Sequence, residues 1–221
     1  MSKSASKNPL LRQLFKYIYQ ADLTKITECL NKPNISEFIN SYYIEGFDQY
    51  LQQKFKKAQH QNDVELCRKI LLQQKNVTGV TPLSYACVLD KIEVIKIFLS
   101  CEAIDINSCN WDNTRAFSIA IRNNNITTIE LLLEHNVSTD YIDDYKHTPL
   151  TQAIYLLMSN KIYFKIAKLL LDYVDINFCN GDGLSPLCLA LNYKNTTGYY
   201  CMANPYKYYK KIIKLLEKKG S

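Results

Sequence analysis

The chain has 221 residues, 47% of them hydrophobic and 22% charged, with a formal net charge of +6. No apolar run approaches the roughly 18 residues of a membrane-crossing helix, so no transmembrane segment is expected. Charges inside "MSKSASKNPLLRQLFKYIYQ" also speak against a secretory signal peptide.

In chain order, "PLLRQLFKYIYQADLTKITECL" (9–30) reads as a helix pair, with Leu10, Leu11, Leu14, Phe15 and Ile18 on one face. A second, weaker pair is expected at "FDQYLQQKFKKA" (47–58) and "NDVELCRKILLQQKN" (62–76). The pattern sharpens at "GVTPLSYACVLDKIEVIKIFLS" (79–100). There the Thr81 hydroxyl suits a helix cap, and Pro82 suits the first helical position because its missing N–H would be unpaired there anyway. Asp90 and Lys91 separate this helix from a second apolar stripe at Ile92, Ile95, Ile97, Phe98 and Leu99. Helices this short are marginal in water by themselves, so neighbours are required.

The neighbours are copies. Thr81-Pro82-Leu83-Ser84-Tyr85-Ala86 returns as Arg115-Ala116-Phe117-Ser118-Ile119-Ala120, Thr148-Pro149-Leu150-Thr151-Gln152-Ala153 and Ser185-Pro186-Leu187-Cys188-Leu189-Ala190, at steps of 34, 33 and 37 residues. Each is followed by a second helix: "IKIFL" (95–99), "IELLL" (129–133), "AKLLL" (167–171) and "IKLLE" (213–217). The small Ala marks close helix approach. A period near 33 with TPLxxA, a xLLL helix and a DIN ending (Asp105-Ile106-Asn107, Asp175-Ile176-Asn177) resembles the ankyrin repeat.

The resemblance implies an all-α ankyrin-repeat solenoid of about six helix-turn-helix units with short β-turn fingers. A single domain over 1–221 is expected: degenerate N-terminal units at 1–75, clear repeats at 76–179, and a C-terminal unit at 180–221 carrying an inserted tyrosine-rich loop at 193–209. Departures from the family pattern are visible. Ser84, Ser118, Thr151 and Cys188 replace the His that usually follows TPL, so its hydrogen bonds pass to hydroxyls or are lost. The second copy lacks both cap and Pro, which predicts a weaker unit. Gly79 and Gly183 keep the turn glycine, where Asn113 tolerates the left-handed conformation and Lys146 does so less readily.

Chemistry beyond binding finds little support in the sequence. The three histidines, His60, His135 and His147, sit in no catalytic frame, and Gly181-Asp182-Gly183 is a repeat turn rather than a phosphate loop. No enzyme activity, catalytic residue, cofactor or metal site is expected. The eight cysteines never come closer than eight apart and form no CxxC, so they are read as free thiols, with Cys67, Cys87 and Cys188 in or beside apolar helix faces. That implies a reducing compartment and a cytoplasmic location. Charge is uneven: residues 1–77 carry 12 basic and 7 acidic side chains, 78–200 carry 9 and 13, and 201–221 carry 6 and 1. Of the 27 basic residues 23 are Lys, which lacks the bidentate fork of Arg, so sequence-specific nucleic-acid binding is not expected.

What the resemblance implies is a protein-interaction module, its partner another protein held by finger tips and the inner ends of first helices. By position the candidate residues are Val77, Thr78, Trp111, Asp112, Asp144, Tyr145 and Asp182 on fingers and His147 just behind. Arg122, Asn123, Tyr155 and Tyr193 stand at helix ends. The Lys-over-Arg bias with plentiful Asn, Ile and Tyr suggests an AT-rich genome: an intracellular bacterium, a large DNA virus or a protist. Small ankyrin proteins of such organisms act on host proteins, which points to a host-directed effector reaching host cytosol without a signal peptide. Two alternatives stay open: an enzyme or regulator using the 193–209 loop, and an electrostatic binder of anionic membrane or nucleic acid through the basic ends.

Overall fold

A computed structural model of the protein describes residues 9–33, 35, 39, 81–110, 113–196 and 205–220. Among these, the secondary structure is helical, and extended pairing is confined to one antiparallel bridge between Cys109 and Arg115. The chain divides into two compact units, Met1–Ala116 and Phe117–Ser221.

In the first unit, α1 (Pro9–Gln20) buries Leu11, Leu14, Phe15 and Ile18. Ala21 turns the chain with φ 53°, and the Asp22 carboxylate accepts the Lys25 N–H to start α2 (Leu23–Leu30), which buries Ile26, Cys29 and Leu30. Helix α3 (Pro82–Val88) begins as its sequence dictates. The Thr81 hydroxyl accepts the Ser84 N–H at 3.2 Å, and Ser84 Oγ accepts the Thr81 N–H at 2.8 Å. This reciprocal box places a Ser hydroxyl where the family pattern has His. In α4 (Ile92–Leu99) the buried residues are Val94, Ile95 and Phe98, while Ile92, Ile97 and Leu99 are only half-buried. The core stripe is therefore one residue set narrower than the apolar run. The Phe15 and Tyr85 rings lie 5.1 Å apart, so the α1–α2 and α3–α4 hairpins are spatial neighbours although far apart in sequence. The pair expected over 47–76 lies outside the described residues.

The second unit holds three hairpins: α5 (Ala116–Arg122) with α6 (Ile126–Glu134), α7 (Pro149–Leu156) with α8 (Tyr163–Leu170), and α9 (Pro186–Thr196) with α10 (Tyr206–Gly220). The three small residues Ala120, Ala153 and Ala190 are each 0% exposed, as close helix approach requires. Helix α7 repeats the capping box through Thr148 and Thr151. In α5, Ser118 has no such partner at residue 115, and its hydroxyl instead meets the Tyr141 hydroxyl at 2.6 Å. In α9, Cys188 lies exposed, which corrects the expectation that its thiol packs on an apolar face. Its N–H still reaches the Ser185 hydroxyl at 3.3 Å, so the cap survives without the box.

Two tyrosines tie successive hairpins together. Tyr163 of α8 donates its hydroxyl to the Arg122 carbonyl at 2.7 Å, and fully buried Tyr209 of α10 donates to the Ile154 carbonyl at 3.1 Å. Both acceptors are in the last turn of a preceding first helix, where carbonyls lose their intrahelical donors. Both ends of the tyrosine-rich insertion are helical: residues 193–196 extend α9 and 206–209 open α10. The expected loop over 193–209 is thus shorter than the sequence suggested, because Tyr209 seeds a helix face with Ile212, Ile213 and Leu216.

Candidate functional site

Each of the three described fingers is built on one side-chain amide or carboxylate. Asn110 Oδ1 accepts the Thr114 N–H at 2.7 Å, Asp143 Oδ1 the His147 N–H at 2.8 Å, and Asn180 Oδ1 the Leu184 N–H at 2.9 Å. Three residues after each stands a left-handed residue: Asn113 (φ 52°), Lys146 (φ 64°) and Gly183 (φ 75°). Sequence reasoning found these turn positions but missed their base. The signal was present, since an Asn or Asp falls five residues before Arg115, Thr148 and Ser185 alike.

In the second unit the fingers at 143–147 and 180–184 run side by side. The Gly181 N–H donates to the Lys146 carbonyl at 2.9 Å, and Lys146 Nζ meets Asp182 at 2.6 Å. A Cβ on Gly181 would lie 2.7 Å from Lys146 Cβ, so glycine is needed for this approach. The Lys146–Asp182 pair is exposed on both sides and contributes little to stability.

Behind the fingers, several sequence-predicted residues converge. His147 stacks on Tyr155 with centroids 5.0 Å apart and 27° between planes. Tyr155 meets Tyr193 at 6.0 Å, and Tyr193 meets buried Tyr209 at 6.0 Å. The Arg122 guanidinium lies 5.9 Å from the Tyr145 ring centroid. Tyr145 and Tyr155 are 59% and 42% exposed, two of the five large hydrophobic side chains exposed among the described residues. Asn123 and Asp144 are exposed beside them. Val77, Thr78, Trp111 and Asp112 lie outside the described residues.

Burial sets the electrostatics at the base of this row. It pushes the Asp143 carboxyl above its usual value, against the lowering effects of the His147 N–H, the His147 charge and Arg122. It pushes His147 below its usual value, outweighing the nearby Asp143 and Asp182 carboxylates. The buried His147 Nδ1 has no hydrogen-bond partner. Tyr193 is raised by burial first and by its neighbours Tyr155 and Asp182 next. A neutral histidine stacked on Tyr155 leaves its Nδ1 able to accept a hydrogen bond from a partner. Among the described residues, no group of three or more His, Cys, Asp or Glu side chains is placed to hold a metal ion.

Paired helices at steps of 33–37 residues, fingers on Asx bases and small residues between helices define a repeat array. Residues 102–177 match the family described as ankyrin repeats (3 copies), and residues 78–111 match the ankyrin repeat. Over residues 78–177 the chain is built of ankyrin repeats. It is 31% identical over 122 residues to an ankyrin repeat protein of Fowlpox virus (strain NVSL), a match covering 53% of this chain and 35% of that one. The match thus spans about a third of that relative's length. The crystal structure of an ankyrin repeat domain from Acinetobacter baumannii AYE has the same fold, with a TM-score of 0.55 at 19% identity over 94% of this chain and 97% of that one. Ankyrin repeats are generally protein-protein interaction modules and typically non-enzymatic scaffolds.

Proposed function

We propose that the protein binds a partner protein through the finger and inner-helix surface of its second unit. The observation that carries this is the exposed aromatic row: Tyr145 under Arg122, and Tyr155 between His147 and Tyr193. Tyr and Arg are the side chains on which binding energy concentrates at protein interfaces. Asn123, Asp144 and Asp182 supply a polar rim. Val77, Thr78, Trp111 and Asp112 belong to the proposal on sequence position alone. The protein works in a cytoplasm, and the partner is a host protein, in keeping with the AT-rich coding bias.

The test is capture of partners from candidate host lysate by the intact chain and by a Tyr145→Ala/Tyr155→Ala variant. Loss of capture with melting within about 1 kcal/mol of the parent supports the proposal, since exposed surface substitutions cost little. Capture that survives the double substitution overturns it.

A further inference from the structure

We propose that the outward face of α8 and α10 docks the protein on an anionic lipid surface, a property separate from partner binding by the fingers. On α10, Lys207, Lys210, Lys211, Lys214 and Lys218 recur at intervals of three and four, and all are exposed. Such spacing puts them on one helix face. The opposite face is spent on the core through Tyr209, Ile212, Ile213 and Leu216. On α8 and just before it, Lys161, Lys165 and Lys168 follow the same rule and are also exposed. The two helices are neighbours: Phe164 of α8 lies 5.6 Å from Tyr208 of α10, and Lys219 reaches Asp172 at 2.8 Å. Their lysines therefore form one continuous cationic face.

Carboxylates are scarce on these two helices. Helix α8 has no carboxylate. The lone acid of α10, Glu217, borders a different hollow, beside Ile176 and Leu187. Among the described residues none of Lys207, Lys210, Lys211 and Lys214 has an ion pair; their contacts are with rings. Lys210 lies 4.7 Å from the Tyr206 centroid, and Lys211 lies 5.8 Å from Phe164 and 5.9 Å from Tyr208.

These ring contacts favour lipid over nucleic acid. Binding of single strands needs free aromatic faces on which bases stack, in a groove that follows the backbone. Here the faces are already covered by ammonium groups, and the depression lined by Tyr206, Lys207, Lys210, Lys211 and Lys214 is shallow, about 370 Å³. Every cation of the face is Lys, a point charge without the fork that reads bases or clamps phosphate bidentately. Rings seated among long amines are instead the chemistry of the headgroup layer, where Tyr lies at the interface and Lys attracts acidic lipids.

The experiment is co-sedimentation of the full chain with vesicles of phosphatidylcholine alone and of one part phosphatidylserine to two parts phosphatidylcholine, beside a single-stranded RNA in solution. The expected result is binding to the serine-containing vesicles alone, weakening steeply with salt. Lys207→Gln, Lys210→Gln, Lys211→Gln and Lys214→Gln together should reduce that binding on the order of a thousandfold, at about a fivefold loss per lysine. If that variant does not fold by circular dichroism, Lys165→Gln/Lys168→Gln on α8 should still reduce binding about thirtyfold by the same reckoning. Equal binding to both vesicles, RNA binding without vesicle binding, binding to neither, or binding unchanged in folded lysine variants each overturns the proposal. The Tyr145→Ala/Tyr155→Ala variant should sediment with vesicles like the parent, so failure of partner capture and failure of membrane docking are told apart.

Discussion

Replacing Tyr209 with Phe removes one oxygen atom and isolates the hydrogen bond that joins the last hairpin to the one before it. The ring stays in a site that is 0% exposed, so packing is nearly unchanged. What is lost is the donor to the Ile154 carbonyl at 3.1 Å. That acceptor is left in the interior at a helix end, and an unsatisfied buried polar group costs about 1–3 kcal/mol. Taking about 1.5 kcal/mol and a urea m-value of about 2–3 kcal/mol/M, the unfolding midpoint should fall by about 0.5–0.8 M. Tyr209→Ala should cost more, about 3–5 kcal/mol, because a cavity opens as well. Urea titrations followed by far-ultraviolet dichroism measure both, with Tyr206→Phe as the exposed control. An unchanged midpoint and m-value in Tyr209→Phe, with Tyr209→Ala still strongly destabilised, would refute the hydrogen-bond argument and leave the ring alone responsible.

Gly181→Ala should lower stability by about 1–3 kcal/mol by forcing apart the fingers whose approach leaves 2.7 Å for the new Cβ, and a melting temperature equal to the parent's would contradict that geometry. The buried finger base gives two opposite pH effects. Asp143 has a raised folded value, so the native state binds its proton more tightly: its contribution is fully present below the unfolded carboxyl value of about 3.9 and is lost as pH rises through the folded one. Asp143→Asn, which copies Asn110 and Asn180, should therefore gain stability relative to the parent as pH rises from about 4 to 7. His147 has a lowered folded value, so its contribution is present above about 6.5 and is lost as pH falls through the folded one. His147→Leu, which copies Leu184, should flatten that acid-side slope; thermal melts across pH check both, and parallel profiles for parent and variants would contradict the assignments.

The repeat was legible because its signals are local. Thr81-Pro82 and Thr148-Pro149 specify helix starts within four residues, and the structure forms both boxes with the hydroxyls at 84 and 151. Asn113 and Lys146 were readable as left-handed for the same reason. Contacts between copies were harder. Nothing in the one-dimensional pattern distinguishes Tyr163 and Tyr209, which clasp carbonyls 41 and 55 residues away, from the protein's other tyrosines. The convergence of Tyr155 with Tyr193 depends on the same long-range packing, although both positions could be proposed from repeat register. The helix extension across 193–196 and 206–209 was missed because the Asn, Gly and Pro of the insertion read as loop. Asn195 lies within α9, and Gly198, Asn204 and Pro205 fall between the two helices in sequence. Cys188 was misplaced because its register matches the buried hydroxyls of Ser84 and Thr151, yet its side chain is exposed.

Helix α10 divides its circumference between two unrelated obligations. Tyr209, Ile212, Ile213 and Leu216 are held to shape and volume by the core, whereas Lys207, Lys210, Lys211 and Lys214 are exposed, with ring contacts at Lys210 and Lys211. Surface changes of that kind usually stay within about 0.5 kcal/mol. Selection acting on surface charge along this helix therefore has a nearly free hand: a handful of codon changes would turn the patch neutral or acidic while the fold, and the fingers, carried on as before.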